Sequence, residues 1–396
     1  MRVLLVHNYY RSSAPSGENI VFEEERDLLR ANGYEVNEYI QKSDNINFER
    51  FTTKLIAGIS YIFNLRAFFS FRKKVKSINP DIIHIHNVFP LISLSILFAI
   101  PKNVKTIMTL HNYRLFCASG STYRNQDTCI KCIRYKSPIF GLIHSCYKDS
   151  FIQTLPITIS IFLHKILGTL EKINGFIAFT EYQREILIKA GISKDRIFIK
   201  PNFFHSQSLK IIPHHQSNEK YFIFVGRLSH EKGLICLLEA WKIMGTSAPK
   251  LKIIGDGPLR QEVHKKIDSL NIDFMGALSK NETLGFIKQA YTLILPSICY
   301  EGFPLVFREA IALSIPILTS NIGPQAQIIE QSKTGLTFKN ANSKDLAEYV
   351  LKIYNDQLLR NQLSRNCVSQ YKNKFNENVN FETLEKIYHH ESHDKH

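Results

Sequence analysis

Short apolar runs alternate along the chain with longer segments in which apolar residues recur every three or four positions. The runs are typical of buried strands, and five of the clearest are Arg2–His7, Ile82–His86, Thr106–Leu110, Tyr221–Val225 and Leu293–Leu295. The longer segments, such as Ile20–Asn32 and Phe151–Ile173, predict helices with one apolar face. This alternation continues through both halves and favours parallel sheets covered by helices on both sides. The sequence therefore predicts an α/β fold with two Rossmann-like domains facing a central cleft.

The length of the chain predicts how these elements divide. At 396 residues it exceeds what a single hydrophobic core usually supports. A polar stretch near the middle suggests an N-terminal domain over residues 1–203, a linker over 204–219 and a C-terminal domain over 220–374. Residues 375–396 are expected to form a helix that crosses back to the first domain, followed by a tail.

The longest uncharged stretch, Ile82–Pro101, raises the question of a membrane span. It contains two histidines, an asparagine and two prolines, so we interpret it as a strand, a loop and a buried helix. The apolar start of the chain is too short for the core of a signal peptide. A cytoplasmic protein without a transmembrane helix is the expectation.

Positive charge is concentrated in one quarter of the chain. Lys and Arg total 50 against 35 Asp and Glu, and residues 51–150 hold 14 of the former and 3 of the latter. Aromatic and aliphatic residues are interleaved with cations over residues 48–76, a composition typical of amphipathic helices that bind anionic bilayers. The alternatives are a core of aromatics with a solvated cationic face, or binding to single-stranded nucleic acid. No recognisable nucleic-acid module accompanies the charge, so the anionic inner leaflet of the cell membrane is the predicted partner.

Four of the seven cysteines lie close together in sequence. Cys129 and Cys132 form a Cys-x-x-Cys pair, flanked by Cys117 and Cys146. This arrangement fits a structural zinc site with four thiolate ligands, whereas reduced buried thiols would give the same spacing. Neither interpretation involves catalysis.

Two cations occur where a predicted strand turns into a helix. Gly226-Arg227 ends the strand Tyr221–Val225, and Lys232-Gly233 opens the next helix. Arg and Lys at such a junction can hold a diphosphate without a metal, each charge-assisted hydrogen bond contributing roughly 1.5–3 kcal/mol.

Two carboxylates bracket a second junction of the same kind. Glu301 follows the strand Leu293–Leu295 on a loop, and Glu309 lies in the helix that begins near Pro304. Both are expected at the carboxyl edge of a sheet, where open α/β folds bind nucleotides and helix N-termini bind phosphate.

Together these motifs resemble the C-terminal half of glycosyltransferase family 4, whose members are retaining enzymes with the GT-B fold. Gly226-Arg227 to Lys232-Gly233, Ile254 to Pro258, Phe274 to Gly276 and Glu301 to Glu309 occur in the family's order. The resemblance implies that Arg227 and Lys232 bind the donor diphosphate, that Glu301 contacts the transferred sugar and that Glu309 binds the ribose. It also implies further donor contacts from a base-binding pair and from the backbone of a loop, namely Met275, Gly276, Gly302, Phe303, Pro304 and Leu305.

The resemblance extends to the N-terminal half, which would bind the acceptor. It implies that Gly17 lies near the donor phosphates, although Ser16 replaces one of two adjacent glycines that many members carry. It places His111 beside the transferred sugar, in a catalytic group with Glu301, Arg227 and Lys232. His86 and Asn87 are weaker candidates for acceptor binding.

The implied function is transfer of a sugar from a nucleoside diphosphate sugar to a hydroxyl of a glycan or lipid-linked saccharide, with retention of configuration. No catalytic metal or other cofactor is expected, and bacterial surface polysaccharide synthesis is the expected setting by association. Two alternatives stay open: another GT-B activity, such as an epimerase or phosphorylase, and a nucleotide-sugar-binding regulator without catalysis.

Overall fold

The computed structural model describes residues 1–11, 16–45, 58–125, 127–210, 212 and 219–390. These residues form two compact units. The first comprises Met1–Thr122, Cys129–Lys200 and the described residues from Phe381 onward, and the second comprises Tyr123–Thr128 and Pro201–Asn380. Of the predicted linker, residues 211 and 213–218 lie outside the described residues, as do residues 46–57 of the predicted amphipathic segment and the end of the tail.

The first unit is built on a six-stranded parallel sheet. Its strands are β1 (Arg2–Tyr9), β2 (Glu35–Lys42), β3 (Ile82–Ile85), β4 (Lys105–Thr109), β7 (Gly175–Ala178) and β8 (Ile197–Ile199). Two short strands, β5 (Tyr123–Arg124) and β6 (Asp127–Thr128), form a separate antiparallel pair. The spatial order is β2-β1-β3-β4-β7-β8, with every pair parallel. Its helices are α1 (Gly17–Ala31), α2 (Leu65–Ile78), α3 (Lys131–Arg134), α4 (Ile139–Ile143), α5 (Phe151–Ile166) and α6 (Glu181–Ala190).

The second unit has a sheet of the same size. Its strands are β9 (Tyr221–Val225), β10 (Lys250–Ile254), β11 (Ile272–Gly276), β12 (Thr292–Leu295), β13 (Ile317–Ser320) and β14 (Gly335–Phe338), in the order β11-β10-β9-β12-β13-β14 and all parallel. Its helices are α7 (Ser206–Lys210), α8 (Leu234–Met244), α9 (Arg260–Ile267), α10 (Lys280–Gln289), α11 (Leu305–Ala312), α12 (Gly323–Ser332), α13 (Ser343–Asn355) and α14 (Gln357–Gln370). The last helix, α15 (Glu377–His389), belongs to the first unit from Phe381 onward.

Both faces of each sheet are buried, which confirms the predicted α/β architecture of two Rossmann-like units. In β1, Leu4 and Val6 pack into one core cluster and Val3 and Leu5 into another on the opposite face. Strands buried on both faces are almost wholly apolar, as is usual for parallel sheets.

The uncharged stretch Ile82–Pro101 forms β3 and a buried 3₁₀ helix, Leu94–Ala99, as predicted. Within the part of the chain that the structure describes, every helix falls short of the length and apolarity that crossing a bilayer requires.

The strand orders determine where side chains at the carboxyl edge can gather. In the second unit the chain starts at the central strand β9, builds outward to β11 and then returns to the other side of β9 with β12. Loops after β9 and β12 therefore run in opposite directions and leave a crevice between them, the position where open α/β sheets bind ligands. In the first unit the corresponding position lies between β1 and β3.

Candidate functional site

Three of the predicted donor residues lie on the two loops that leave the crevice of the second unit. Arg227 and Lys232 follow β9, and Glu301 follows β12, the neighbouring strand. Parallel strands end at the same edge, so the sheet order brings together residues that are about 70 positions apart in sequence.

A glycine allows these two loops to approach. Gly233, between Lys232 and α8, has φ +71°, and a Cβ atom there would lie 1.8 Å from the carbonyl oxygen of Pro296. A residue with a side chain would be strained by this φ and would also push the loop after β12 away. The Lys232-Gly233 motif therefore fixes the spacing between the two loops.

Lys232 and Glu301 form an ion pair across the crevice. Lys232 Nζ lies 2.5 Å from Glu301 Oε1, and both side chains are largely buried. Burial opposes the charged form of each group, but the partner's charge outweighs it, lowering the pKa of Glu301 and raising the pKa of Lys232. Both groups are therefore charged at neutral pH.

Hydrogen bonds hold the Glu301 loop in place around this pair. The Ser297 hydroxyl donates to Glu301 Oε1 at 2.7 Å, and the Glu301 backbone N–H donates to Gln325 Oε1 at 3.2 Å. The Gln325 amide in turn donates to the Cys299 carbonyl oxygen at 3.0 Å. Gln325, from α12, thus positions the loop from its other side.

The same edge of the second sheet holds Arg227 and a further predicted donor residue, Glu309. Arg227 is exposed. Glu309 is half-buried within α11. The N-cap of this helix is Pro304, and no side chain caps its first turn. Backbone N–H groups at the start of α11 are therefore available to an anion.

The base-binding pair predicted from the resemblance ends β11. Met275 and Gly276 are half-buried, and Gly276 has φ +71°. The Gly276 carbonyl oxygen accepts a hydrogen bond of 2.8 Å from the Gly255 N–H after β10. A Cβ on Gly255 would lie 1.9 Å from the Gly226 carbonyl oxygen, so the ends of β9, β10 and β11 are held close together.

In the first unit, the crevice between β1 and β3 contains a buried charged cluster. Glu25 lies on the inner face of α1. Its Oε2 atom is 2.5 Å from Lys200 Nζ, and its Oε1 atom is 3.1 Å from His86 Nε2. His84 Nδ1 is also 3.1 Å from Glu25 Oε1 and 2.8 Å from the Tyr388 hydroxyl. Burial would raise the pKa of Glu25, but Lys200 and the two histidines lower it well below its ordinary value. The cluster therefore keeps a carboxylate charged in the core.

His111 is connected to this cluster through His86. Its Nε2 lies 3.2 Å from His86 Nδ1, and burial, reinforced by the neighbouring imidazoles of His86 and His7, lowers the pKa of His111 well below its ordinary value. Because the Glu25 carboxylate only accepts, a neutral His86 donates from Nε2 and accepts at Nδ1. His111 then donates from Nε2, which leaves its Nδ1 as an acceptor.

The other predicted residues of the first unit have local structural partners. The Asn87 side chain donates to the Asn8 carbonyl oxygen at 2.9 Å and accepts from the Phe89 N–H at 3.0 Å, so it holds the loop after β3. Gly17 is exposed at the start of α1. Ser16, which stands in place of a second glycine, is the N-cap and accepts from the Glu18 N–H at 3.3 Å.

Sequence reasoning missed Glu25, His84 and Lys200. A signal was present, since Glu25 interrupts the apolar face that Phe22 and Leu29 define on α1. A single glutamate on an apolar face indicates a buried partner, but the partner Lys200 lies 175 positions further along the chain.

The structure allows two possible metal sites to be compared. Among the described residues, a group of three ligand atoms within 4.8 Å of one another comes from Glu25, His84 and His86. The ammonium of Lys200 already neutralises that carboxylate, so this group does not fit a metal ion. All four predicted zinc ligands are reduced cysteines, and burial raises the pKa of Cys132 to about 12, with a further contribution from Cys117. The cysteines form no such close group, and the zinc site stays a prediction.

Two family models match consecutive parts of the chain. The model described as "Glycosyltransferase Family 4" matches residues 17–207, and the one described as "Glycosyl transferases group 1" matches residues 207–369. Together they span both units.

Two similar proteins have the names of transferases. The capsular polysaccharide biosynthesis glycosyltransferase CapM of Staphylococcus aureus is 25% identical over 353 residues, covering 80% of this chain and 87% of that protein. The alpha-monoglucosyldiacylglycerol synthase of Acholeplasma laidlawii is 25% identical over 307 residues, covering 74% of this chain and 72% of that protein.

Solved structures share the fold over nearly the whole chain. A sucrose-phosphate synthase from Thermosynechococcus elongatus has a TM-score of 0.67 at 16% identity and covers 98% of both chains. The HepE protein of Anabaena, solved with UDP, has a TM-score of 0.61 at 15% identity and covers 98% of this chain and 99% of that one.

Proposed function

The chain is a glycosyltransferase of the family 4 type with the GT-B fold, and from this premise we propose that it moves a sugar, with retention of configuration, from a nucleoside diphosphate sugar to a hydroxyl of a glycan or lipid-linked saccharide. The observation that carries the proposal is the Lys232–Glu301 ion pair at the crevice of a 3-2-1-4-5-6 parallel sheet.

Lys232, Arg227 and the start of α11 are the proposed diphosphate ligands. The leaving nucleoside diphosphate gains negative charge as the bond to the sugar breaks, so cations and backbone N–H groups already in place stabilise the transition state without a metal. Losing one such donor typically costs about 2.7–4 kcal/mol, or roughly 10²–10³ in kcat. Glu301 pairs with Lys232 and is proposed to contact a hydroxyl of the transferred sugar.

The nucleoside would bind along the same edge. Glu309 has a carboxylate suited to the two vicinal hydroxyls of a ribose, and Met275 and Gly276 are the proposed contacts of the base. The backbone of Gly302, Phe303, Pro304 and Leu305 is proposed to approach the sugar and phosphates, and Gly17 of the first unit is a further proposed donor contact.

In the first unit, His111 is the proposed partner of the transferred sugar. Its Nδ1 is the acceptor that the Glu25–His86 arrangement leaves available, so it suits a sugar hydroxyl as donor. His86 and Asn87 stay proposed acceptor-site residues, although their observed contacts position His111 and the loop after β3.

Relatives suggest the setting. Besides CapM, the poly(ribitol-phosphate) alpha-N-acetylglucosaminyltransferase of Staphylococcus aureus is 28% identical over 227 residues, which is 56% of this chain and 44% of that protein. We propose synthesis of a bacterial surface polysaccharide, carried out in the cytoplasm at the inner face of the membrane. The alternative is a nucleotide-sugar-binding GT-B protein of other activity, such as an epimerase or a regulator without catalysis.

A ligand screen followed by a transfer assay tests this function. Thermal shifts across UDP-, GDP- and ADP-sugars identify the donor, and product analysis with and without a saccharide acceptor separates transfer from epimerisation. Lys232→Ala and Glu309→Ala are each expected to lower turnover at least tenfold in a folded protein. Lys242→Ala, an exposed lysine in α8, is the matched control and should retain wild-type turnover. Wild-type rates in both site variants would refute the assignment.

A further inference from the structure

The helix α5 buries its polar side and exposes its apolar side, which is the reverse of an ordinary surface helix. Four of the five side chains that it buries are polar, namely Thr154, Thr158, Ser160 and His164, and the fifth is Ile157. Most of the side chains that it exposes are apolar, namely Phe151, Ile152, Leu155, Ile159, Phe162 and Ile166, and the polar exceptions are Gln153 and Lys165. We refer to the six apolar residues as the exposed stripe.

The buried polar side chains account for the orientation of the helix. The Ser160 hydroxyl donates to the Tyr61 carbonyl oxygen at 3.2 Å, and His164 Nε2 lies 2.9 Å from the Ile62 carbonyl oxygen. The Thr154 hydroxyl accepts from the Tyr147 N–H, outside the helix, at 3.0 Å. Because these bonds fix the polar side inward, the helix cannot turn its apolar side toward the core without leaving buried polar groups unsatisfied.

The stripe is long and carries no charge. Ile152, Leu155, Ile159, Phe162 and Ile166 are spaced three or four residues apart and therefore lie in one line. A helix of 16 residues is about 24 Å long. Ile139 and Ile143, exposed on the adjoining helix α4, enlarge the same type of surface. Contiguous apolar surface of this extent marks an interaction site.

The charges of the same unit indicate what covers the stripe. Lys148, beside the exposed Asp149, and Lys165 are exposed at its two ends, and Lys131, Arg134 and Lys136 are exposed on and beside α3. On α2, Leu65 and Phe69 are exposed beside Arg66, Arg72 and Lys73. Two copies of this cationic surface would repel each other, and protein interfaces are depleted in lysine. An anionic bilayer satisfies both the apolar line and its cationic surroundings.

We propose that the exposed stripe of α5 inserts into the interface of an anionic lipid leaflet, with the helix lying in the membrane plane. The proposal rests on the proposed function, because a lipid-linked acceptor presents its reactive hydroxyl at that surface. It differs from the sequence-based expectation, which assigned membrane contact to residues 48–76 alone.

Flotation with vesicles tests the docking directly. The wild-type chain is expected to float with phosphatidylcholine vesicles that contain phosphatidylglycerol, and less with phosphatidylcholine alone or at high salt. Ile152→Glu combined with Phe162→Glu should reduce the bound fraction about tenfold or more, because a carboxylate in this position meets both the acyl region and anionic headgroups. Leu358→Glu, on α14, is the matched control: Leu358 is 82% exposed and Ile152 is 81% exposed. This control should float like the wild type.

A fluorescence variant locates the inserted residue. Trp241 is the chain's one tryptophan and is fully buried, so it contributes a constant background. Phe162→Trp should shift its emission to the blue when phosphatidylglycerol vesicles are added, whereas Leu358→Trp should not.

Three outcomes would overturn the docking: no flotation of the wild type, wild-type flotation of the double glutamate variant, or a wild-type dimer that this variant converts to monomers without any lipid binding. Failure of the proposed function is distinguishable, because it appears as absence of transfer to a soluble acceptor in the wild type while the flotation pattern persists. Transfer to the soluble acceptor at wild-type rates in the double variant, together with lost flotation, supports the docking alone.

Discussion

At the scale of single residues, the candidate site consists of charges held by other charges. In the second unit Lys232 is paired with Glu301, and in the first Lys200 is paired with Glu25. Glu25 also reaches His111 through His86, so the tautomer of His111 depends on a carboxylate in the core. Glu25 is in this sense a positioning residue.

Replacing Glu25 is expected to change the tautomer of His111. A glutamine at this position can donate to His86 Nε2, which reverses the direction of both hydrogen bonds and makes His111 Nδ1 the protonated nitrogen. Turnover should fall roughly tenfold or more, as when the orienting carboxylate of a catalytic histidine is neutralised. ¹⁵N chemical shifts of His111 measure the tautomer.

The control addresses stability. Glu25→Gln alone leaves Lys200 as a buried unpaired cation, which is destabilising. Glu25→Gln combined with Lys200→Met removes that charge and should recover folding while His111 keeps the altered tautomer. An unchanged His111 spectrum in the double variant would contradict the positioning role.

At the scale of secondary-structure elements, the site depends on where strands end. Each sheet brings a strand that begins its unit next to one that returns from the other side, and in the second unit Lys232 and Glu301 follow those two strands. The glycines at these strand ends control how closely adjacent loops approach, and Gly233 is the most restricted of them for the site because Lys232 precedes it.

Gly233→Ala is expected to destabilise the second unit and to misplace Lys232. The added Cβ overlaps the Pro296 carbonyl oxygen, so the cost should be at least about 3 kcal/mol, beyond the usual left-handed penalty of about 1–2 kcal/mol. Gly33→Ala is the matched control, because Gly33 has φ +81° and its Cβ would meet nothing within 4 Å. Thermal unfolding of the two variants measures the difference, and equal shifts would count against the overlap.

The strand-end histidines of the first unit make its stability depend on pH. Burial lowers the pKa of His84 to about 4 and of His7 to about 3, against 6.5 in an unfolded chain. Below pH 6.5 the unfolded state therefore binds protons that the folded state does not, so stability falls as the pH falls. Glu25, with its lowered pKa, adds to this loss below about pH 4.3.

Denaturant unfolding between pH 7.5 and 4.5 measures this dependence. The free energy of unfolding should decrease by a few kcal/mol over the range, since one pKa unit corresponds to about 1.4 kcal/mol. His84→Asn should give a shallower decrease than the wild type, and an identical slope would show that His84 is not the group responsible.

The sequence predicted the elements better than their environments. The periodicity of apolar residues and the order of the motifs identified both sheets. They also placed Arg227, Lys232 and Glu301 at strand ends, because strand-to-helix junctions have local sequence signals. Pairing between Lys232 and Glu301, or between Glu25 and Lys200, depends on strand order and could not be read locally. The helix at Phe151 was predicted with an apolar face, but periodicity does not say which side faces solvent, and α5 exposes that face.

At the scale of the whole molecule, the chain leaves the first unit after Lys200 and contributes to it again from Phe381. Leu384, Ile387 and Tyr388 of α15 are buried in a core cluster of the first unit with Val3 and Leu5. Lys105 Nζ donates to the carbonyl oxygens of Ile387 and Tyr388 at 2.9 and 2.8 Å, at the C-terminus of the helix.

Tyr388→Ala is expected to loosen the first unit only. It removes a buried ring and the hydroxyl 2.8 Å from His84, at a cost of about 3 kcal/mol or more. Hydrogen exchange should accelerate in β1 and β3 and stay unchanged in β9 and β12. Phe338→Ala, a buried ring in β14, is the reciprocal control and should affect the second unit alone. Equal acceleration in both sheets after Tyr388→Ala would contradict this assignment.

The return of α15 has a consequence for biosynthesis. A ribosome releases all of β1 to β8 before it has made the residues that complete their core, and the 180 residues from Pro201 to Asn380 come in between. At 5–20 residues per second that interval lasts roughly 10–40 s. The nascent N-terminal half therefore waits, with the apolar residues that α15 covers still exposed to chaperones, until the ribosome has made α15.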